Sequence, residues 1–399
     1  MNKPRLRFRS GGKPMSGPKA PKLLSAAARP RRSRVRTMPQ ELIDQVIDYS
    51  KDQRDTLLSC SLVSRAFVHR SQQHLFAKII LYPSLEIKLK ILFETSSHLA
   101  SYTKELSISV PQICSSPLAT VYPEGSSHLL DVLPKFTNLK RFTMRIYGYG
   151  VLDWNECVPE DIQTGIASIF EKNMLHEVVL QDVQEFDPGL LARCSSLQML
   201  VLGGESSLSR YTEPLPDSCA PPALSVAMVG SGEKCFQSFM DCCNATLPAF
   251  SLNKLQWLGL RELPGDPWIE SFHKLAKSSL CMLKHLVIEL EIKAGTPGER
   301  SPSTELERID LSGLKNLLTI EIRNNSYEHD QTLFGQRSAR ILQSLPRPSQ
   351  LVHITFYCPG QQFATHHTPS RQSHWDDVDL VLSNGFPRLS QVHFKFGVN

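Results

Sequence analysis

The 399-residue sequence predicts an α/β protein in three parts: a basic tail over 1–36, a small helical module over 37–82, and a long array of strand–helix repeats over 83–399. Three observations carry this division. All twelve basic residues of 1–36 stand there without one acidic residue. Apolar residues fall at helical spacing just after Thr37. A hexamer with strand-like alternation then recurs nine times to the end of the chain. With 41% hydrophobic and 21% charged side chains, the chain has ample material for a core.

The tail, with its prolines, glycines and arginines, lacks the apolar residues to bury a core and is expected to be disordered. Its run Arg29–Pro30–Arg31–Arg32–Ser33–Arg34–Val35–Arg36 has the composition of a nuclear-import patch or a solvated basic arm. Outside the tail, 32 basic residues face 39 acidic ones, so the body is mildly acidic. Nucleic-acid binding by the body is therefore not expected, since phosphates call for a basic face. No run approaches the ~18–20 apolar residues that cross a bilayer, and the patch Leu23–Ala28 is too short for a secretory signal. The expectation is an intracellular protein of the nucleus, the cytoplasm or both, without a membrane partner.

In the module, Met38–Pro39 opens a first helix, where the missing N–H of proline is harmless. Leu42, Ile43, Val46 and Ile47 share one face of it. A second helix, with Asp55 as its expected cap, carries Leu57, Leu58, Cys60, Leu62, Val63, Ala66 and Phe67. A third, short helix around Gln72–Phe76 leads into the strand Lys78–Tyr82. Three short helices make a very small core, so apolar surface should remain uncovered, as at an interface.

The repeating hexamer has apolar residues at positions 4 and 6 and usually at 1. It begins at 103, 139, 175, 197, 255, 283, 317, 351 and 389, as in Leu139–Lys–Arg–Phe142–Thr–Met144. Alternation at 4 and 6 predicts a short strand with one buried face. Helix-like stretches over 159–172, 266–279, 329–345 and 375–382 lie between several of them. Strand, turn, helix and return form the unit of a leucine-rich horseshoe. The uneven spacing, 22 to 58 residues, makes this an irregular leucine-rich-repeat-like solenoid, and the 58-residue step has room for a degenerate repeat. The Pro/Cys/Gly-rich insert over 203–238 falls in that step and reads as filler or as a projecting binding loop.

Met38–Pro39–Gln–Glu41–Leu42–Ile43, then Leu62–Val63–Ser64–Arg65–Ala66–Phe67 and His74–Leu75–Phe76, resemble an F-box. The likeness is greatest to the F-box-like proteins abundant in mushroom-forming fungi. Met38 stands for the family's leucine, Phe67 for its commoner tryptophan, and Ser50 for an apolar residue. The resemblance implies a substrate receptor that links a target protein, not identified by the sequence, to a cullin-based SCF ubiquitin ligase through a Skp-type adaptor. It implies that Met38, Pro39, Leu42, Ile43, Val46, Leu58, Leu62, Val63 and Phe67 face the adaptor or support that surface. The alternative is a scaffold or nuclear interaction module without ligase coupling.

No catalytic role is expected, and no cofactor. GxxxxGK[ST], GxSxG, HExxH and GxGxxG are all missing from the sequence. His366, His367, His374, Asp376 and Asp377 are the densest metal-capable group, but their spacing matches no ligand set. Asp376, Asp377 and Asp379 fit the start of the last helix better. The ten scattered cysteines read as buried thiols, and Trp154, Trp257, Trp268 and Trp375 as core or helix-face residues.

Overall fold

The computed structural model describes residues 38–111, 128–147, 150–210, 220–230, 233–245, 248–261, 272–273, 275, 280–290, 310–324, 331–359 and 375–397. Three helices come first: α1 (Gln40–Tyr49), α2 (Arg54–Val63) and α3 (Arg65–Leu75). Among the described residues thirteen strands follow: β1 (Lys78–Leu81), β2 (Glu105–Pro111), β3 (Arg141–Tyr147), β4 (Leu152–Asp153), β5 (Glu177–Gln181), β6 (Val183–Gln184), β7 (Met199–Gly203), β8 (Val226–Val229), β9 (Trp257–Leu260), β10 (His285–Leu290), β11 (Thr319–Asn324), β12 (His353–Pro359) and β13 (Gln391–Gly397).

All but β4 and β6 join one eleven-stranded sheet, and those two form a small parallel pair beside it. The order across the large sheet is the order along the chain, and each pairing is parallel. A doubly wound domain would reverse strand order at a switch point. Here each strand of the large sheet pairs with the ones before and after it in that sheet's order, as stacked repeats do. The result is a mixed α/β fold with a long parallel sheet, compatible with a leucine-rich-repeat-like solenoid.

The hexamer sets the register. Position 6 forms one row across the sheet: Leu81, Ile108, Met144, Leu180, Leu202, Val229, Leu260, Ile288, Ile322, Phe356 and Phe394. Position 4 forms a second row, two residues earlier on each strand. The carbonyl at position 2 accepts two N–H groups, those of positions 2 and 3 in the next repeat. Thus Lys104 O accepts from Lys140 N at 2.7 Å and Arg141 N at 3.0 Å, and Gln256 O accepts from Lys284 N and His285 N, both at 2.9 Å. All ten steps repeat this arrangement. Position 1 can therefore be buried, because the backbone beside it is satisfied.

The 58-residue step does hold a repeat: Leu224–Ser–Val–Ala227–Met–Val229 occupies the frame, with all three inward residues buried. Alanine at position 4 is what obscures it. The described part of the 203–238 insert is thus one repeat, with β8 and the start of the helix Glu233–Asn244, rather than a projecting loop. A further frame at Phe76–Ala–Lys–Ile79–Ile–Leu81 supplies β1.

The helices between strands are α4 (Glu86–Thr95), α5 (Leu129–Val132), α6 (Trp154–Cys157), α7 (Glu160–Lys172), α8 (Pro188–Ala192), α9 (Glu233–Asn244), α10 (Gln331–Gln343) and α11 (Trp375–Gly385). They bury apolar faces in one continuous core with the inward strand residues. On α7 the buried face is Ile162, Gly165, Ile166, Ile169 and Phe170. Asn173, just beyond its end, is buried with its amide satisfied: Oδ1 accepts Leu139 N at 2.9 Å, and Nδ2 donates to Phe136 O and Ile169 O. Most of the helix expected over 266–279 lies outside the described residues, as do the tail and His366, His367 and His374.

Four expectations are corrected. The second helix does not run through Phe67. Ser64 is extended (φ −159°, ψ 148°), its Oγ accepts Ala66 N–H, and it starts α3. Asp55 does not cap α2; Gln53 precedes it, and Asp55 lies in the first turn. Trp257 is on neither the core nor a helix, but points out from the sheet at position 3. The last hexamer does not bury its frame: Val392 and Phe394 are 36% and 46% exposed, because no strand follows β13 among the described residues.

Candidate functional site

The helical module is held together by few groups. Ile43, Ile47 and Leu57 are the buried apolar residues of α1–α3, with Ala66, Phe67 and Leu75 packed against them. Asp48 on α1 joins the helices electrostatically. Arg70 Nε and Nη2 donate to its two carboxylate oxygens at 2.6 and 2.7 Å, and His74 Nε2 lies 2.7 Å from Oδ1. The Arg70 hydrogen bonds, followed by that to His74, hold the Asp48 carboxyl well below the usual carboxylate range. Gln40 Nε2 adds a bond from α1 to Ala66 O on α3.

What the core does not use is left outside. On α1, Leu42, Val46 and Tyr49 are exposed at i, i+4 and i+7, in a stripe beside that of buried Ile43 and Ile47. Met38 and Pro39 are exposed just before the helix. On α2, Leu58 and Leu62 are exposed at i and i+4, followed by exposed Val63. Leu62 is 86% exposed and Val63 74%. Of the nine residues that the F-box resemblance singles out, Ile43 is core and Phe67 is half-buried against it. The other seven, Met38, Pro39, Leu42, Val46, Leu58, Leu62 and Val63, lie at the surface. Tyr49 is an exposed neighbour that sequence reading missed, although its helical spacing from Leu42 and Val46 could have shown it.

The second surface is the outward face of the large sheet. Its N-terminal strands carry the ion pairs Lys78–Glu105 and Arg141–Glu177, β11 carries Glu321–Arg323, and Arg261, just after β9, pairs with Glu289 on β10. Between them, β7, β8 and β9 present Met199, Val201, Val226, Met228, Trp257 and Gly259. A Cβ on Gly259 would stand 2.8 Å from Cη2 of Trp257. The indole therefore lies across the glycine, where a side chain at 259 would displace it.

Among the described residues, no group of three or more His, Cys, Asp or Glu is placed to hold a metal. Burial pushes the thiols of Cys194, Cys235 and Cys242 up to about 12 and that of Cys358 to about 11, so they stay protonated and unreactive at neutral pH. Among the described residues no helix is long and apolar enough to cross a membrane.

No family model matches the chain, and no curated protein matches it. Among solved structures it is similar to a leucine-rich-repeat protein of Leptospira interrogans. Identity is 13%, over 75% of this chain and 79% of that one, with a TM-score of 0.23. Nothing is transferred from a likeness of that order; the repeat architecture rests on strand order and register.

Proposed function

We propose that this chain is a non-catalytic substrate receptor. Through α1 and α2 it docks on a Skp-type adaptor of a cullin-based ubiquitin ligase, and its repeat domain holds the target protein. The supporting observation is the division of labour in the module. Ile43, Ile47 and Leu57 suffice for its core, while Met38, Leu42, Val46, Leu58, Leu62 and Val63 stay exposed at the positions the resemblance assigns to the adaptor. Large apolar side chains left in water on so small a module mark an interface. A receptor of this kind needs no catalytic group, because its contribution is to hold a target lysine near a charged ubiquitin carrier. The ligase reading places the protein in the nucleus, the cytoplasm or both.

The test is copurification of the full chain with a Skp-type adaptor, beside a Leu42→Asp/Leu62→Asp variant. Both side chains are exposed, so the variant should keep the wild-type circular dichroism. A carboxylate in a desolvated apolar contact costs several kcal/mol, well over tenfold in affinity. Wild-type binding that the folded variant loses supports the receptor reading. A wild type that does not bind leaves α1–α3 as a helical cap on a scaffold, and the ligase reading falls.

A further inference from the structure

The outward sheet face carries a pattern that the adaptor reading does not use. Two registered rows cross it. One runs Glu177, Met199, Val226, Trp257, His285, and the other Val179, Val201, Met228, Gly259, Val287. Over β7–β9 both rows are uncharged, and the second stays uncharged from β5 to β10. On either side the charges come as the pairs Arg141–Glu177 and Glu321–Arg323, and Arg261, just after β9, pairs with Glu289 of β10 along one edge. Val179, Met199, Val201, Val226, Met228 and Trp257 are all part-exposed.

The spacing of this strip selects the shape of its occupant. Neighbouring strands stand ~4.8 Å apart, so the five strands from β5 to β10 span about 19 Å. An α-helix laid across them repeats its apolar stripe every ~5.4 Å and covers that span in about 13 residues. An extended chain repeats on one face every ~6.6 Å. Over four steps the helix drifts from the rows by about 2.4 Å and the extended chain by about 7 Å. Charge selects as well. A charged residue seated over β7 and β8 would lose its water, and the pairs Arg141–Glu177, Arg261–Glu289 and Glu321–Arg323 are already made.

We propose that this strip binds an amphipathic helix of roughly three and a half turns, with an uncharged apolar stripe seated on Trp257 and Met228 and running across the strands. The inference deepens the target-holding half of the receptor reading, and depends on that reading only for the helix belonging to a ligase target.

The experiment pans a phage-displayed library of random 16-residue peptides on the full chain, with a Met228→Glu variant for counter-selection. Met228 points outward, so the variant should keep the wild-type melting temperature; Trp257→Ala is the second variant. The expected result is enrichment of apolar residues at i, i+3 or i+4, and i+7, with a helical signature on binding. Affinity should fall at least tenfold in both variants, and adaptor copurification should not change. Enrichment of a strict i, i+2 alternation would overturn the proposal. So would binding that neither variant weakens, or no enrichment over an unrelated protein. If the helix binds and the adaptor does not, the ligase reading falls and this one stands.

Discussion

Truncating Ile47 and Leu62 to alanine, one at a time, should have opposite consequences although both are apolar residues of the same module. Ile47 is fully buried and Leu62 is 86% exposed. Burying an aliphatic side chain contributes about 1.5–3 kcal/mol, so the seventh of Leu62 that is covered amounts to about 0.3 kcal/mol. Ile47→Ala loses the whole transfer term and leaves a cavity, at about 2–5 kcal/mol. In a core of three buried residues and three part-buried ones, that loss should open the module while the repeats stay folded. Amide hydrogen exchange followed by mass spectrometry reads this directly. Peptides from 40–75 should exchange at least 20-fold faster in Ile47→Ala, since each 1.4 kcal/mol is tenfold. They should be unchanged in Leu62→Ala, and peptides from β5–β12 should be unchanged in both. If Leu62→Ala speeds exchange as much as Ile47→Ala, Leu62 is covered in the folded chain. The docking face would then be part of the core.

Two further outcomes concern the repeat domain. Glu86, at the start of α4, is buried, and burial raises its pKa from 4.5 to about 7 against the lowering effect of the His128 N–H it accepts. Its proton is held more tightly in the folded state, so this contribution is complete below pH 4.5. It is lost as pH rises toward 7, by about 3 kcal/mol in all. Urea midpoints should therefore fall between pH 5 and pH 8, and Glu86→Gln should remove most of that fall and be the more stable protein at pH 8. Gly230→Ala should destabilise the β7–β8 region by about 1–3 kcal/mol. Its Cβ would stand 2.7 Å from Leu202 O and 2.9 Å from the backbone of Gly204, atoms with no side-chain freedom to yield. A thermal melt equal to wild type would refute that.

The strands were legible from the sequence because burial in a parallel stack demands the same side chain at the same place in every repeat. Position 6 forms one unbroken row from Leu81 to Phe394 for that reason. The frame goes unread where a small residue suffices, as at Ala227; at β13 it is legible but not buried, as Val392 and Phe394 show. Where one helix stops and the next begins is a subtler matter. Ser64 breaks the α2–α3 segment with a single local hydrogen bond, and apolar periodicity runs straight through it.

The apolar residues of the module were equally legible, but not their division into core and surface. Ile43 and Leu42 are adjacent and similar in chemistry; only the packing of α3 across one side of α1 buries the first and leaves the second in water. Trp257 makes the same point on the sheet. An isolated tryptophan reads as core, and it takes the register of β8, β9 and β10 to set its indole over Gly259 on the open face. Sequence by itself determined the repeat frame, the small module ahead of it and the basic tail, because each is a pattern of local composition and period. Which apolar side chains are left for partners was decided by tertiary structure, since burial belongs to pairs of elements and not to either one alone.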